Sequence, residues 1–342
     1  MKQTDHGYTD HDLSDSSFCF FERTKICAET LVCPPRSTHS RRKVVKTQIL
    51  HETTMGSLAK RLGQLARASW ETESSNILKT TQANKRVGSL AHGLDGTLKD
   101  AHDMKVFGLG TMASMANPQR YHRFSLSMYA IYQTMEQELD QTTEIYPKLF
   151  RIWQKHGSIL KRRVALEHDL RHVLPDEESL ESRLAQHLRE SPATKQYVEA
   201  IQAAGMVDRE THHATLTGHL YCRYFADLFG GQMLALPYQY ALRLPESPRF
   251  YEFDFASSIS PSSIPPGRRA FIEDLYSELN HTGETLQDTT KQEQVVREAY
   301  QAFAHNIDVY SEEPIYMDGL RGGWNMAIGF CASRVAGGSS RR

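Results

Sequence analysis

The chain has 342 residues, enough for one large domain or two medium ones. Forty basic side chains against 41 acidic ones leave a net charge of −1, which argues against a general nucleic-acid binder. No run approaches the ~20 apolar residues of a bilayer span. The best, Trp324 to Cys331, is far too short, so no membrane anchor is expected.

Residues 1–55 are polar and aperiodic and predict a disordered N-terminal extension. Asp5, Asp10, Asp12 and Asp15 are wrong for a transit peptide or a secretory signal, which points to a soluble, cytoplasmic protein. The basic run from Arg36 to Lys46 would suit a transit peptide if the true start lay downstream, so a plastid or other organelle is the alternative. Five cysteines, at 19, 27, 33, 222 and 331, include no Cys-x-x-Cys pair and read as free intracellular thiols. Residues 56–92 predict a partly helical extension, with Leu58, Leu62 and Leu65 at helical spacing among serines and threonines.

Residues 93–312 form the main domain. Phe124, Met128, Ile131, Tyr132, Met135 and Leu139 recur on one helix face after Pro118 and before Pro147. Leu216, Leu220, Tyr224 and Leu228 make a second stripe, and Val296, Tyr300, Phe303, Ile307 and Tyr310 a third. Prolines and glycines cluster between them, at 245–248 and 257–267. Convincing period-two alternation is missing, so the prediction is an all-α domain of six to nine helices. Residues 313–342, with Gly319, Gly322, Gly323, Gly337 and Gly338, read as a flexible C-terminal tail.

One segment is chemically odd. Arg223 to Gln232 continues the second stripe and then runs Gly230 and Gly231 together inside it, at a cost of ~1 kcal/mol per glycine in a helix interior. A flat ligand pressed against the backbone explains this; so does a helix end with Gly230 as the terminating residue. Spacing alone leaves both open.

Arg-Tyr-x-x-Asp-Leu-x-Gly-Gly-Gln, from Arg223 to Gln232, resembles the signature of the haem oxygenases. Ala165 to Leu170, Pro192 to Val198, Met128 to Tyr132 and Ala302 to Ile307 resemble further family segments, in the right order from about Leu94 to Tyr310. The resemblance implies an all-α fold with haem between a proximal helix and a kinked distal helix. It implies oxidative cleavage of haem to biliverdin, carbon monoxide and ferrous iron, using oxygen and an electron donor, a reductase or a ferredoxin. Haem is then both cofactor and substrate.

By the same resemblance His102, in Leu98-Lys99-Asp100-Ala101-His102, is the axial iron ligand, with His92 the second choice. Without the family, one histidine among sixteen is an ordinary polar residue. Asp227 matches a distal carboxylate that orders proton-delivering water, and Tyr132, Arg223 and Asn306 match its polar network. Lys99 and Tyr221 match residues near the haem propionates, and Ala226, Gly230, Gly231 and Phe303 match the lining of the haem site. The bland alternatives are a surface i, i+4 ion pair for Arg223 and Asp227, and core packing for Tyr132.

Departures from the pattern are Ala226 for glycine, Phe229 for serine, and Val106 for an acidic residue. Pro237 is expected to bend or end the distal helix, and Phe271 to Asn280 lacks a basic residue. They favour haem binding over efficient cleavage, so the alternative function is a haem-binding sensor or carrier of the same fold.

Overall fold

The structure is a computed structural model that describes residues 81–101, 103–172, 178–255 and 267–339. The N-terminal extension predicted over 1–55, and most of the 56–92 extension, lie outside these residues. Helix follows helix: α1 (Leu90–Ala101), α2 (Met104–Ser114), α3 (Pro118–Ile145), α4 (Arg151–Leu160), α5 (Arg163–His172), α6 (Leu180–Glu190) and α7 (Pro192–Thr211). A broken stretch comes next, with α8 (Leu216–Leu220), a π-helical turn (Tyr221–Phe225), α9 (Ala226–Phe229), a 3-10 turn (Gly231–Leu234) and α10 (Ala235–Leu242). The chain closes with α11 (Arg268–Leu286), α12 (Thr289–Ser311) and α13 (Tyr316–Ser339). Among the described residues there is no strand, and the fold is all-α as the sequence predicts. The thirteen α-helices among the described residues exceed the expected six to nine, and the division of the stretch around the two glycines into short pieces accounts for part of the excess.

Polar caps set the boundaries. The Asn117 side chain accepts from Arg120 N at 2.8 Å with Pro118 at the first helical position, and so starts α3. Asp103 starts α2, Ser191 starts α7 and Asp288 starts α12 in the same way. On α3 the predicted face is the buried one: Met128, Ile131, Tyr132, Met135 and Leu139 are all core residues. Leu216, Leu220, Tyr224 and Leu228 are buried too. The third stripe is displaced. On α12 the buried positions are Val295, Ala299, Ala302, Phe303 and Asn306, while Tyr300 is exposed. Small and polar residues face the core there, so apolar periodicity picks the flank.

That choice of small residues lets α8 lie close to α12. A Cβ on Gly218 would stand 2.7 Å from Ala299 N and Val295 O, closer than a side chain can sit. Upstream, His212 and Ala214 adopt positive φ, and the Asp208 carboxylate caps the new helix at Thr215 N (2.6 Å) and Leu216 N (2.8 Å).

The C-terminal region corrects the reading of 313–342 as a flexible tail. Tyr316–Ser339 is a helix that packs on α2 and α10. Its glycines are contact points: a Cβ on Gly322 would overlap the Met112 carbonyl oxygen, and one on Gly329 the Tyr240 carbonyl oxygen. Glycine lowers helix propensity, yet it permits a backbone approach that other residues forbid. Met317, Leu320, Trp324 and Ile328 remain exposed along α13. None of the described helices is long and apolar enough to cross a membrane.

Candidate functional site

The distal stretch breaks earlier than Pro237 suggests. α9 ends at Phe229, and Gly230 follows at φ −119°, ψ −36°, outside the left-handed conformation of a glycine cap. Pro237 stands in the first turn of α10, where its missing N–H is no loss. The π turn just before the break carries Tyr221, Cys222 and Arg223, and such turns bulge a helix and re-aim its side chains.

Four predicted residues from three helices meet inside this bend. Arg223 donates from Nε and Nη2 to the Tyr132 hydroxyl at 3.2 and 3.1 Å, and from Nη1 to Asn306 Oδ1 at 2.8 Å. Tyr132 donates to Asp227 Oδ2, and Asp227 Oδ1 lies 3.8 Å from Arg223 Nη2. Arg223 is 3% exposed and Asp227 6%, so a surface ion pair is ruled out, and the Tyr132 hydroxyl is bonded rather than merely packed. Two members were not expected: Met128 Sδ accepts from Arg223 Nη2 at 3.2 Å, and Cys222 Sγ accepts from Asn306 Nδ2 at 3.0 Å.

Burial pushes the Asp227 carboxyl above the ordinary carboxylate range, against the opposing pull of Arg223 and the Tyr132 hydrogen bond. Burial likewise raises Tyr132 well above an ordinary phenol. A carboxyl so placed holds a proton more readily than an exposed one. On its Oδ1 side the neighbouring backbone is Gly231, where even an added Cβ would stay 3.5 Å away. Beyond it stands Tyr251, stacked on Tyr238 at 5.1 Å. The Arg249–Tyr251 turn is held there by Asp169, which accepts from Arg249 N and Phe250 N at 2.9 Å.

The other expected site residues are distributed differently. Tyr221 faces away from the network and donates to Asp95 Oδ1 on α1 at 2.6 Å. Phe303 is buried on α12, one turn before Asn306. Ala226 and Gly230 are part-exposed on the distal stretch. His102 and the Lys99 side chain lie outside the described residues, and His92 is exposed, with Nδ1 3.3 Å from Asn84 O. Phe229 packs near Phe225 and Tyr276, which explains a ring at that position.

Phe271 to Asn280 lacks a basic residue, as read from the sequence, but α11 begins upstream of that segment, at Arg268. Arg268, just upstream of the segment read as Phe271 to Asn280, donates from Nε to Leu228 O at 2.8 Å and from Nη2 to Phe229 O at 2.9 Å. It ties off the carbonyls that the break leaves unpaired. Its only sequence signal was a basic pair, Arg268-Arg269, at a helix start.

The sequence and the fold are both similar to those of known proteins. A sequence model of the heme oxygenase family matches residues 89–312. Mouse (Mus musculus) heme oxygenase 2 is 25% identical over 248 residues, 71% of each chain. Chicken (Gallus gallus) heme oxygenase 1 is 30% identical over 197 residues, 55% of this chain and 57% of that one. The crystal structure of heme oxygenase 2 from Chlamydomonas reinhardtii without heme aligns at TM-score 0.55 and 17% identity, over 66% of this chain and 98% of that one. Heme oxygenase-2 from Synechocystis, solved with heme and NO, aligns at TM-score 0.51 and 24% identity, over 65% of this chain and 84% of that one. The solved structures share the helical fold. The family match takes in both the α1 region and the broken helix that holds Arg223 and Asp227, and covers well over half of the sequence: the chain belongs to the haem oxygenase family.

Proposed function

We propose that the protein is a haem oxygenase that cleaves haem to biliverdin, carbon monoxide and ferrous iron, with oxygen and reducing equivalents from a reductase or ferredoxin. The observation that carries this reading is the buried chain Arg223–Tyr132–Asp227 inside a broken helix. The residues present fit the group: a carboxyl held toward its protonated form stands beside a glycine, in a site closed by aromatic rings. His102 would hold the iron, Lys99 a propionate, and the Gly230–Gly231 break would let the backbone lie near the ring. Bound haem supplies both the metal that activates oxygen and the carbon skeleton that is oxidised.

The protein's part is proton handling and orientation. Arg223 is always charged and only donates, so its two bonds to the Tyr132 oxygen leave that hydroxyl's proton directed at Asp227 Oδ2. Asp227 can then hold its own proton at Oδ1, toward the Gly231 side. Asn306 accepts from Arg223 and donates to Cys222, which fixes the guanidinium plane. Four side chains anchored to one another lose little order when the reaction begins.

The test is to add haemin to purified protein, supply reductant and oxygen, and follow the visible spectrum. Soret decay with biliverdin and carbon monoxide formation supports the reading. A Soret band that survives turnover conditions assigns the chain to the sensor or carrier alternative, and failure to develop one removes haem altogether.

A further inference from the structure

The last helix, α13, joins two helices that leave the candidate site on different sides. One is α2, which begins at Met104, two residues after His102. The other is α10, which follows the 3-10 turn that Gly231 opens. The two meet where Ser114 Oγ and the Tyr238 hydroxyl lie 2.6 Å apart, and Tyr238 stacks on Tyr251, the ring beside Gly231. α13 spans this junction and grips both helices by their main chains. Gly319 and Gly322 rest against the carbonyl oxygens of Leu109 and Met112 on α2, and Gly329 against that of Tyr240 on α10. Asn325 Nδ2 donates to Met115 O at 3.3 Å and to Ala116 O at 2.9 Å, which ties off the end of α2. Phe330 meets the Tyr240 ring edge-on at 5.9 Å.

This seat is specific in shape but poor in burial. Among residues 316–332 only Gly319 and Gly322 are buried, whereas Leu320, Trp324 and Ile328 face outward. A segment with so little buried apolar surface opens at a lower free energy than the core beneath it. We propose that α13 is a strap: seated, it clasps α2 to α10, and its release lets the two sides part so that a planar ligand enters and leaves. The proposal rests on the haem reading above, which puts the ligand between the α1 side and the distal stretch. The residues that seat the strap are none of those assigned to haem or to proton handling. Loosening the seat therefore changes how often the site opens, and leaves what the bound ligand touches as it was.

That distinction gives the test. A ligand that passes only through the open form arrives and departs at rates that both scale with the open fraction, while its affinity hardly moves. Haemin binding to the full-length protein is followed by stopped-flow at the Soret band, and its release by transfer to an excess of a haem-scavenging globin. In Gly322→Ala, whose methyl falls on the Met112 carbonyl, both rates should rise about tenfold with the affinity within about twofold of wild type. Gly323→Ala, whose methyl meets only Met112 Sδ at 3.7 Å, should leave both rates unaltered. Gly329→Ala loosens the α10 end instead and carries the same expectation if Gly322→Ala fails to fold. Faster release alone, with weaker affinity, makes α13 a fixed wall of the site and overturns the proposal, as do unchanged rates in both seat variants. Failure of the wild type to bind haemin overturns the haem reading and the strap with it, whereas tight wild-type binding without paired rate changes overturns only the strap.

Discussion

Arg223 gives two hydrogen bonds to a single atom, the hydroxyl oxygen of Tyr132, at 3.2 and 3.1 Å. Both partners are buried, so neither can turn to water when the other is lost. Tyr132→Phe should therefore lower stability by about 1–3 kcal/mol, because it strands a guanidinium and a carboxyl together. Denaturant melts of haem-free protein check this. A change within error of zero means that water takes over the hydroxyl's place.

Asp227→Asn keeps the shape of the distal site and removes its exchangeable acid proton. Haem binding should persist, biliverdin yield should fall, and oxygen should be diverted to peroxidase-type oxidation of an added phenol. Equal biliverdin yields from the two proteins would reduce Asp227 to a structural partner of Arg223.

His102→Ala should change the spectrum of added haem and sharply reduce turnover, whereas His92→Ala should leave both unaltered. His92 is exposed and engaged with Asn84 O, which is a poor setting for an axial ligand. The reverse pattern of spectra moves the ligand to His92.

Much of the distal site was legible because its residues sit in short, dense motifs. Periodicity marked the helix face that carries Tyr132, and the family signature marked Arg223 and Asp227. What escaped notice was convergence over distance. Tyr221 and Tyr276 reach Asp95 from 126 and 181 residues away, and no local pattern encodes such a meeting. Small residues hid two further features. Ala299 and Ala302 mark the buried face of α12 without an apolar peak, and the glycines of α13 read as looseness where they are close contacts.

That last misreading is open to a direct test. Gly322→Ala places a methyl on the Met112 carbonyl and should destabilise the protein by about 1–3 kcal/mol. Gly323→Ala is the control, since its methyl would meet only Met112 Sδ, at 3.7 Å, and alanine favours the helix. Thermal melts that do not separate the two variants would show that α13 is not seated on α2.

Asp208 supplies the pH prediction. Its carboxylate accepts from Thr215 N at 2.6 Å, Thr215 Oγ1 at 2.7 Å and Leu216 N at 2.8 Å, yet burial outweighs these bonds and pushes it from the ordinary 3.8 up to about 6. A folded-state value above the unfolded one means that the native chain binds the proton more tightly between pH ~4 and ~6. The Asp208 contribution is therefore most favourable below pH ~4, declines as pH rises through ~6, and is constant above. A two-unit difference spans roughly 3 kcal/mol. Other buried groups are shifted as well, Asp169 and Glu136 upward and His156 and His187 downward, all chiefly by burial. The quantity to measure is accordingly the stability of wild type minus that of Asp208→Asn at each pH. The amide cannot accept all three bonds, so the variant is weaker at low pH, where wild-type Asp208 is protonated and its advantage is greatest. That advantage should shrink from pH 4 to 6 and level off from 6.5 to 8. A difference that stays flat from pH 4 to 8 would show that Asp208 does not titrate there, and that its bonds to Thr215 and Leu216 hold it ionised despite burial.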